Sequence, residues 1–349
     1  MRYFLLILLS LPQLLKAQHP IERLLVAEAN AGHFSGAALV IHDGKVVARI
    51  NRGYANRQFS VPVSDSTRFP VASLTKTFTA VLALQLQQQG RLKLTDKVTA
   101  YLPELPPDCR DITLLALLTH YSGLRSEPVS AYAMPVSTAE FVRKYVAVDE
   151  KPGSAGFHYN NVDYILLTRV LEVVTGKSYA RLLQEAIIQP LKLKNTGVVQ
   201  EAHVIRNLAY GYHNYSFGVG TPNDTLYNDT RYLSNYAGAG AIYSTVDDLR
   251  MLVEALRTNR LLRPQVTAQF LIKPQQPAFI EYTRGYPTVG FYLNNKSLKQ
   301  TMLERRGSID GFNSLLLTTP DFTTTVIILT NTDTGDLEKT GDAVWNKIH

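Results

Sequence analysis

The chain has 349 residues, with 36 Lys and Arg against 29 Asp and Glu, eight His and a single Cys, and a formal net charge of +7. Its basic residues are scattered rather than gathered in runs, which speaks against nucleic acid as a partner, while the mild positive field favours anionic small molecules. Cys109 has no second cysteine to pair with, the histidines show no His-x-x-x-His spacing, and no cofactor or metal is expected.

The chain opens with Met1-Arg2, an apolar run over 3–15 interrupted by Ser10, Pro12 and Gln13, and then Lys16-Ala17-Gln18. This reads as a secretory signal peptide over 1–17, cut after Ala17. Loss of Arg2 and Lys16 lowers the charge by two, to +5 for the mature chain 18–349. No cysteine adjoins the apolar run, and no later stretch is long and apolar enough for a bilayer. The expectation is an exported protein, periplasmic or extracellular, without a stable membrane anchor.

Residues 21–30 carry Ile21, Leu24, Leu25 and Ala29 on one helical face. Residues 36–42 and 46–50 flank Asp43-Gly44, a strong hairpin signal. The middle of the chain changes character, with helices predicted over 73–90, 162–176, 178–190 and 245–256, the last capped by Ser244 or Thr245. A Tyr-, Asn- and Gly-rich stretch over 204–235 reads as a long surface excursion. Strands return over 288–293, 301–306, 313–318 and 323–329, and a helix over 337–348 closes the chain. Strands first and last with helices between predict an α/β fold. Its antiparallel sheet, flanked by terminal helices, would come from 18–72 and 265–349, with a mostly helical domain inserted over 73–264.

Ser73-Leu74-Thr75-Lys76 is the one Ser-x-x-Lys in the sequence, and it opens the predicted helix at 73–90. Residues three apart share a helix face. Ser73 and Lys76 therefore converge at a helix start, where partial positive charge favours an alkoxide and disfavours protonated lysine. Serine becomes a nucleophile when a base takes its proton, and lysine can serve when burial and cationic neighbours lower its pKa. A second proton relay is then needed for the leaving group. Tyr159, in Tyr159-Asn160-Asn161 at the entrance to the helix at 162, is the candidate.

Ser73-x-x-Lys76 followed by Tyr159-x-Asn161 resembles the serine β-lactamase and penicillin-binding protein superfamily, of which Ser-x-x-Lys is a known signature. The nearest branch is the class C β-lactamase-like group, which also holds family VIII esterases, D-aminopeptidases and D,D-carboxypeptidases. The resemblance extends to Gly53-Tyr54-Ala55-Asn56, to the loop from Leu117 to Leu124 and to the segment from Ala237 to Thr245, and so covers nearly all of 18–349. It implies a β-lactamase/transpeptidase-like fold and an acyl-enzyme on Ser73, with Lys76 as base and Tyr159 as relay. It also implies that Asn161 orients the substrate, and that the backbone N–H groups of Ser73 and Ser308 form an oxyanion hole. No Ser-Asp-Asn motif is present, which favours Tyr159 over a glutamate-bound water as the hydrolytic relay.

The third motif of this superfamily is Lys-Thr-Gly or His-x-Gly on a strand. A literal Lys339-Thr340-Gly341 falls beyond the last predicted strand, whereas Arg305-Arg306-Gly307 ends one and leads into Ser308-Ile309-Asp310-Gly311-Phe312. Arg305, Gly307 and Ser308 are therefore expected to line the site, with Arg305 drawing an anionic group and the arginine weighing against efficient β-lactam turnover. His120 and His158 are expected to be structural. The expected partner is a small-molecule or peptide substrate, anionic ones included: an ester, a D-amino-acid peptide or a β-lactam-like amide. The competing expectation is a module that binds penicillin or peptidoglycan fragments without turnover.

Overall fold

The computed structural model describes residues 19–151, 155–214, 219–222, 225–228, 232–296, 300–309 and 311–348; the leader expected at 1–17 and Asp310 lie outside them. The chain opens with helix α1 (Pro20–Asn30) and a hairpin of β1 (Gly36–His42) and β2 (Lys45–Arg52). Asp43 and Gly44 have φ of 50° and 74°, the paired positive values that a two-residue turn matched to strand twist requires.

Five further strands come from the other end of the chain: β3 (Tyr286–Pro287), β4 (Tyr292–Asn294), β5 (Met302–Ile309), β6 (Phe312–Thr318) and β7 (Thr325–Thr330). The seven form one antiparallel sheet in the order β3-β4-β5-β6-β7-β1-β2, so the two chain ends meet where β1 pairs with β7. The strand expected over 288–293 is shorter and bent. Gly290 (φ 91°) turns the chain against the central helix, and its carbonyl accepts from Thr77 Oγ1 at 2.9 Å.

Side-chain alternation gives the sheet two covered faces. Ala38, Val40, Leu315, Leu317, Val326 and Ile328 pack on Ile21 and Leu25 of α1 and on Val344 and Trp345 of the last helix. Leu39, Leu303, Leu316, Ile327 and Leu329 belong to the larger core shared with the helical region. That region contains α2 (Thr75–Gln88), α3 (Leu114–Thr119), α4 (Thr138–Tyr145), α5 (Val162–Thr175) and α6 (Val246–Arg257), and α7 (Leu337–Ile348) ends the chain. Helices α3 and α4 have no counterpart among the sequence expectations. The helix expected over 178–190 is interrupted by a π-turn at Gln184–Ile188.

Helix α2 is buried from Thr75 through Leu84 without a break, so it is a central post rather than an amphipathic surface helix. Its polar side chains are satisfied internally: Thr79 Oγ1 donates to the Gly238 carbonyl at 2.7 Å, and Thr75 Oγ1 accepts from the Ile242 N–H at 3.1 Å. The N-terminus of this post abuts the edge of β5 beyond the end of β4, and the site is built there.

Candidate active site

Ser73 lies on a single 3-10 turn, Ala72–Leu74, that runs straight into α2. Three contacts pin this turn. The Val71 N–H donates to the Ile242 carbonyl at 2.9 Å, Ser314 Oγ donates to the Val71 carbonyl at 2.7 Å, and Arg305 Nε donates to the Ser73 carbonyl at 3.0 Å. Ala72 is held at φ 47°, a left-handed conformation that costs alanine on the order of 1–3 kcal/mol and persists only where its surroundings impose it. The turn also requires Gly307. A Cβ there would stand 2.5 Å from the Val71 carbonyl oxygen and 2.7 Å from the Ser73 nitrogen.

Two proton-carrying groups meet at Ser73 Oγ. Lys76 Nζ lies 3.1 Å away, and the Tyr159 hydroxyl donates to it at 2.7 Å. Lys76 is fully buried, and its Nζ also donates to Asn161 Oδ1 at 2.8 Å and to the Ala239 carbonyl at 2.9 Å. Burial pushes the Lys76 ammonium below its ordinary value; Tyr159 and Glu127 pull against this shift and the Arg305 charge adds to it. For Tyr159, burial alone would raise the phenol, but the Lys76 and Arg305 charges and the Ser73 hydrogen bond outweigh it and bring it below its usual value. A lysine and a tyrosine that both give up a proton more easily than usual therefore face one hydroxyl.

The Asn161 amide bridges two opposite charges. Its Oδ1 accepts from Lys76, and its Nδ2 donates to Glu127 Oε1 at 2.9 Å. Tyr132 donates its hydroxyl to the same Glu127 oxygen, and Tyr132 is stacked on Tyr236 with centroids 3.7 Å apart. Glu127 Oε2 is buried without a hydrogen-bond partner, although the residue as a whole is only half-buried. Glu127 was not legible in the sequence, because one carboxylate in Ser126-Glu127-Pro128 carries no motif.

Beneath Tyr159 lies a buried pair. His120 Nδ1 is 2.8 Å from Asp163 Oδ2, Asp163 Oδ1 accepts from Ser122 Oγ at 2.5 Å, and the His120 ring tilts against Tyr159 with centroids 4.5 Å apart. Burial, reinforced by Arg305 and Lys76, drives His120 well below the usual imidazole range, and burial drives Asp163 well above the carboxylate range. His158 hydrogen-bonds Ser126 Oγ through Nε2 at 2.9 Å, and its N–H donates to the His120 carbonyl. Neither histidine has a hydrogen bond to Ser73. Asp163 carried a sequence signal, since it stands two residues after Asn161 in the first turn of α5.

Arg305 and Gly307 project from β5 toward Ser73, while Arg306 projects to the other face, where it meets Glu304 at 3.0 Å and Glu338. The Ser308 side chain is exposed, and its residue pairs with Asn313 in the ladder. Lys339-Thr340-Gly341 sits on α7, on the far side of the sheet. Lys339 is 87% exposed and pairs with Asp336 at 3.2 Å, and a Cβ on Gly341 would strike Leu315. Arg305 differs from the sequence expectation in one respect: the residue is 2% exposed, and its Nε is bound to the Ser73 carbonyl.

The family model described as Beta-lactamase matches residues 21–347. The chain belongs to the β-lactamase family. Among curated relatives of this β-lactamase-family chain, the teichoic acid D-alanine hydrolase of Staphylococcus aureus is 29% identical over 263 residues, which is 74% of this chain and 62% of that protein. The chain thus spans less than two thirds of that relative's length. Among solved structures, the D-amino acid amidase of Ochrobactrum anthropi SV3 superposes with a TM-score of 0.80 at 25% identity, covering 94% of this chain and 97% of its own. A D-stereospecific amidohydrolase from Streptomyces superposes with a TM-score of 0.76 at 27% identity, covering 93% and 97%. These relatives are hydrolases on a β-lactamase-type fold. Among the described residues, no helix is long and apolar enough to cross a membrane, and no cluster of three or more His, Cys, Asp or Glu is suited to a metal.

Proposed function

We propose that this chain is an exported serine hydrolase that forms an acyl-enzyme on Ser73, and that its acyl donors are D-amino-acid esters or amides with a free amine. The observation that carries the reading is the convergence of Lys76 Nζ and the Tyr159 hydroxyl on Ser73 Oγ, with both groups shifted toward their deprotonated forms. Ser73 attacks the acyl carbon, and neutral Lys76 or the Tyr159 phenolate takes its proton. That proton passes through Tyr159 to the leaving alcohol or amine. Water then attacks the ester on Ser73, gives a proton to the same relay and returns the hydroxyl. The oxyanion formed in each half would rest on the N–H groups of Ser73 and Ser308; one such donor is worth roughly 10²–10³ in rate.

The substrate class rests on Glu127 and on the names of the relatives. The half-buried Glu127 carboxylate, held beside Lys76 through Asn161, puts negative charge on that side of the site, which suits a substrate ammonium. Two of the relatives are named for D-alanine or D-amino acids. The leader-like start at 1–17 supports export, and N-terminal sequencing of secreted material should begin at Gln18.

Intact mass after treatment with a fluorophosphonate should show one adduct, absent in Ser73→Ala. Mixing with a chromogenic D-alanyl ester should show an acyl adduct that decays with turnover. An adduct that persists without product would replace this reading with a binding module, and labelling that survives Ser73→Ala would end it.

A further inference from the structure

We infer that Arg305 is a positioning cation for Ser73 and Tyr159 and not an anchor for a substrate carboxylate, so that acyl donors are chosen without reference to a carboxylate. This rests on the hydrolase reading above and narrows its substrates. The arginine is buried and held by the protein. Its Nε donates to the Ser73 carbonyl at 3.0 Å, and its Cζ lies 5.9 Å from the Tyr159 ring centroid and 5.4 Å from that of Tyr292. Tyr159 is itself held by Ser73 Oγ, and the 72% exposed Tyr282 lies against it with centroids 6.1 Å apart. Arg305 Nη2 and the Tyr292 hydroxyl are both buried without a hydrogen-bond partner of good geometry. An incoming carboxylate would have to lose its water to reach that nitrogen, which is buried beside the Tyr159 and Tyr292 rings.

The other cations near Ser73 are equally engaged. Lys76 is fully buried with three acceptors, and Arg306 is on the opposite face with Glu304, Glu338 and the Tyr282 carbonyl. On the side of Asn161 the charged group is Glu127, which repels carboxylates. What the arginine does instead follows from its neighbours. It faces Lys76, His120, Tyr159, Tyr164, Tyr282 and Tyr292, while Lys76 also faces Glu127 and Asp163. A fixed positive charge in this box favours neutral Lys76 and ionised Tyr159, the forms that take a proton from Ser73.

The test uses the full mature protein, with Arg305→Gln and, as the charge-conserving variant, Arg305→Lys. The rate of Ser73 labelling by a neutral fluorophosphonate is followed against pH. A loss of about one pKa unit of cationic bias slows labelling at neutral pH about tenfold and moves the midpoint of the profile upward by about one unit. Arg305→Lys should recover part of both effects. An unchanged rate and midpoint in Arg305→Gln would overturn the inference. In parallel, thermal melting is followed with N-acetyl-D-alanine, which has a carboxylate and no amine. Its effect should be the same in wild type and in Arg305→Gln, and stabilisation of wild type that vanishes in the variant would overturn the inference. If wild type is not labelled at all, the hydrolase reading fails, and the melting arm still decides what Arg305 binds. Circular dichroism separates misfolding of Arg305→Gln from loss of charge, and in that event the uncharged Arg305→Met takes its place in both comparisons.

Discussion

The hydroxyl of Tyr159 stands 2.7 Å from Ser73 Oγ, closer than the Lys76 ammonium at 3.1 Å, although Tyr159 comes from a loop 86 residues downstream. Ser73 is therefore gripped between a neighbour in the first turn of α2 and one at the entrance to α5. Loss of either should be severe. Tyr159→Phe and Lys76→Ala are each expected to lower kcat about 10²–10⁴-fold, the usual worth of a positioned acid or base, in steady-state hydrolysis of an activated ester. Both groups act when deprotonated and both titrate below their ordinary values. The wild-type rate should therefore rise with pH and level off below the unperturbed range of about 10.

Glu127 should discriminate by charge. Glu127→Gln keeps an oxygen for Asn161 Nδ2 but removes the negative charge. A hydrogen bond to a charged group is worth about 1.5–3 kcal/mol, so KM for a D-alanyl ester should rise roughly tenfold or more while that for an acetyl ester stays close to wild type. Equal changes for both esters would remove Glu127 from substrate recognition.

Gly307→Ala tests the close approach of β5 to Ser73. The new methyl would fall 2.5 Å from the Val71 carbonyl oxygen and 2.7 Å from the Ser73 nitrogen, so strand or turn must move. A stability loss of roughly 1–3 kcal/mol in urea unfolding is expected, together with slower Ser73 labelling.

Lys339→Ala should leave hydrolysis within about twofold of wild type, as befits an exposed surface substitution. Abolished activity would mean that the literal Lys-Thr-Gly on α7 serves the site after all.

Arg49 on β2 binds Asp247 of α6 through two hydrogen bonds, at 2.6 and 2.8 Å, and so ties the sheet to the helical region. The hydrogen bond from Arg49 holds the Asp247 carboxyl below its usual range against a smaller opposing effect of burial. Stability from this pair is fully present above the unfolded carboxylate value of about 3.9 and is lost as pH falls through the depressed folded value. The pair is a third exposed, so solvent screens it. Asp247→Asn should cost only about 0.5–1 kcal/mol at neutral pH and should flatten the acid limb of a stability–pH curve from urea melts.

The sequence by itself determined the elements whose signals are local. The Asp43-Gly44 turn fixed the β1–β2 hairpin, Thr245 capped α6 through its bond to the Asp248 N–H, and Ser73-x-x-Lys76 announced a serine and a lysine at a helix start. It also separated Arg305–Gly307 from Lys339–Gly341, because a strand context and a helix context differ in hydrophobic period. The tertiary structure alone decided what depends on distant segments meeting. Glu127 acquires its place through Asn161 and Tyr132, and His120 and Asp163 become a buried pair only because α3 and α5 pack together. Arg305 looked in sequence like an available cation, since charge and residue type say nothing about direction. Its burial under Tyr159 and Tyr292, and its bond to the Ser73 carbonyl, arise where the edge of β5 closes on the turn before α2.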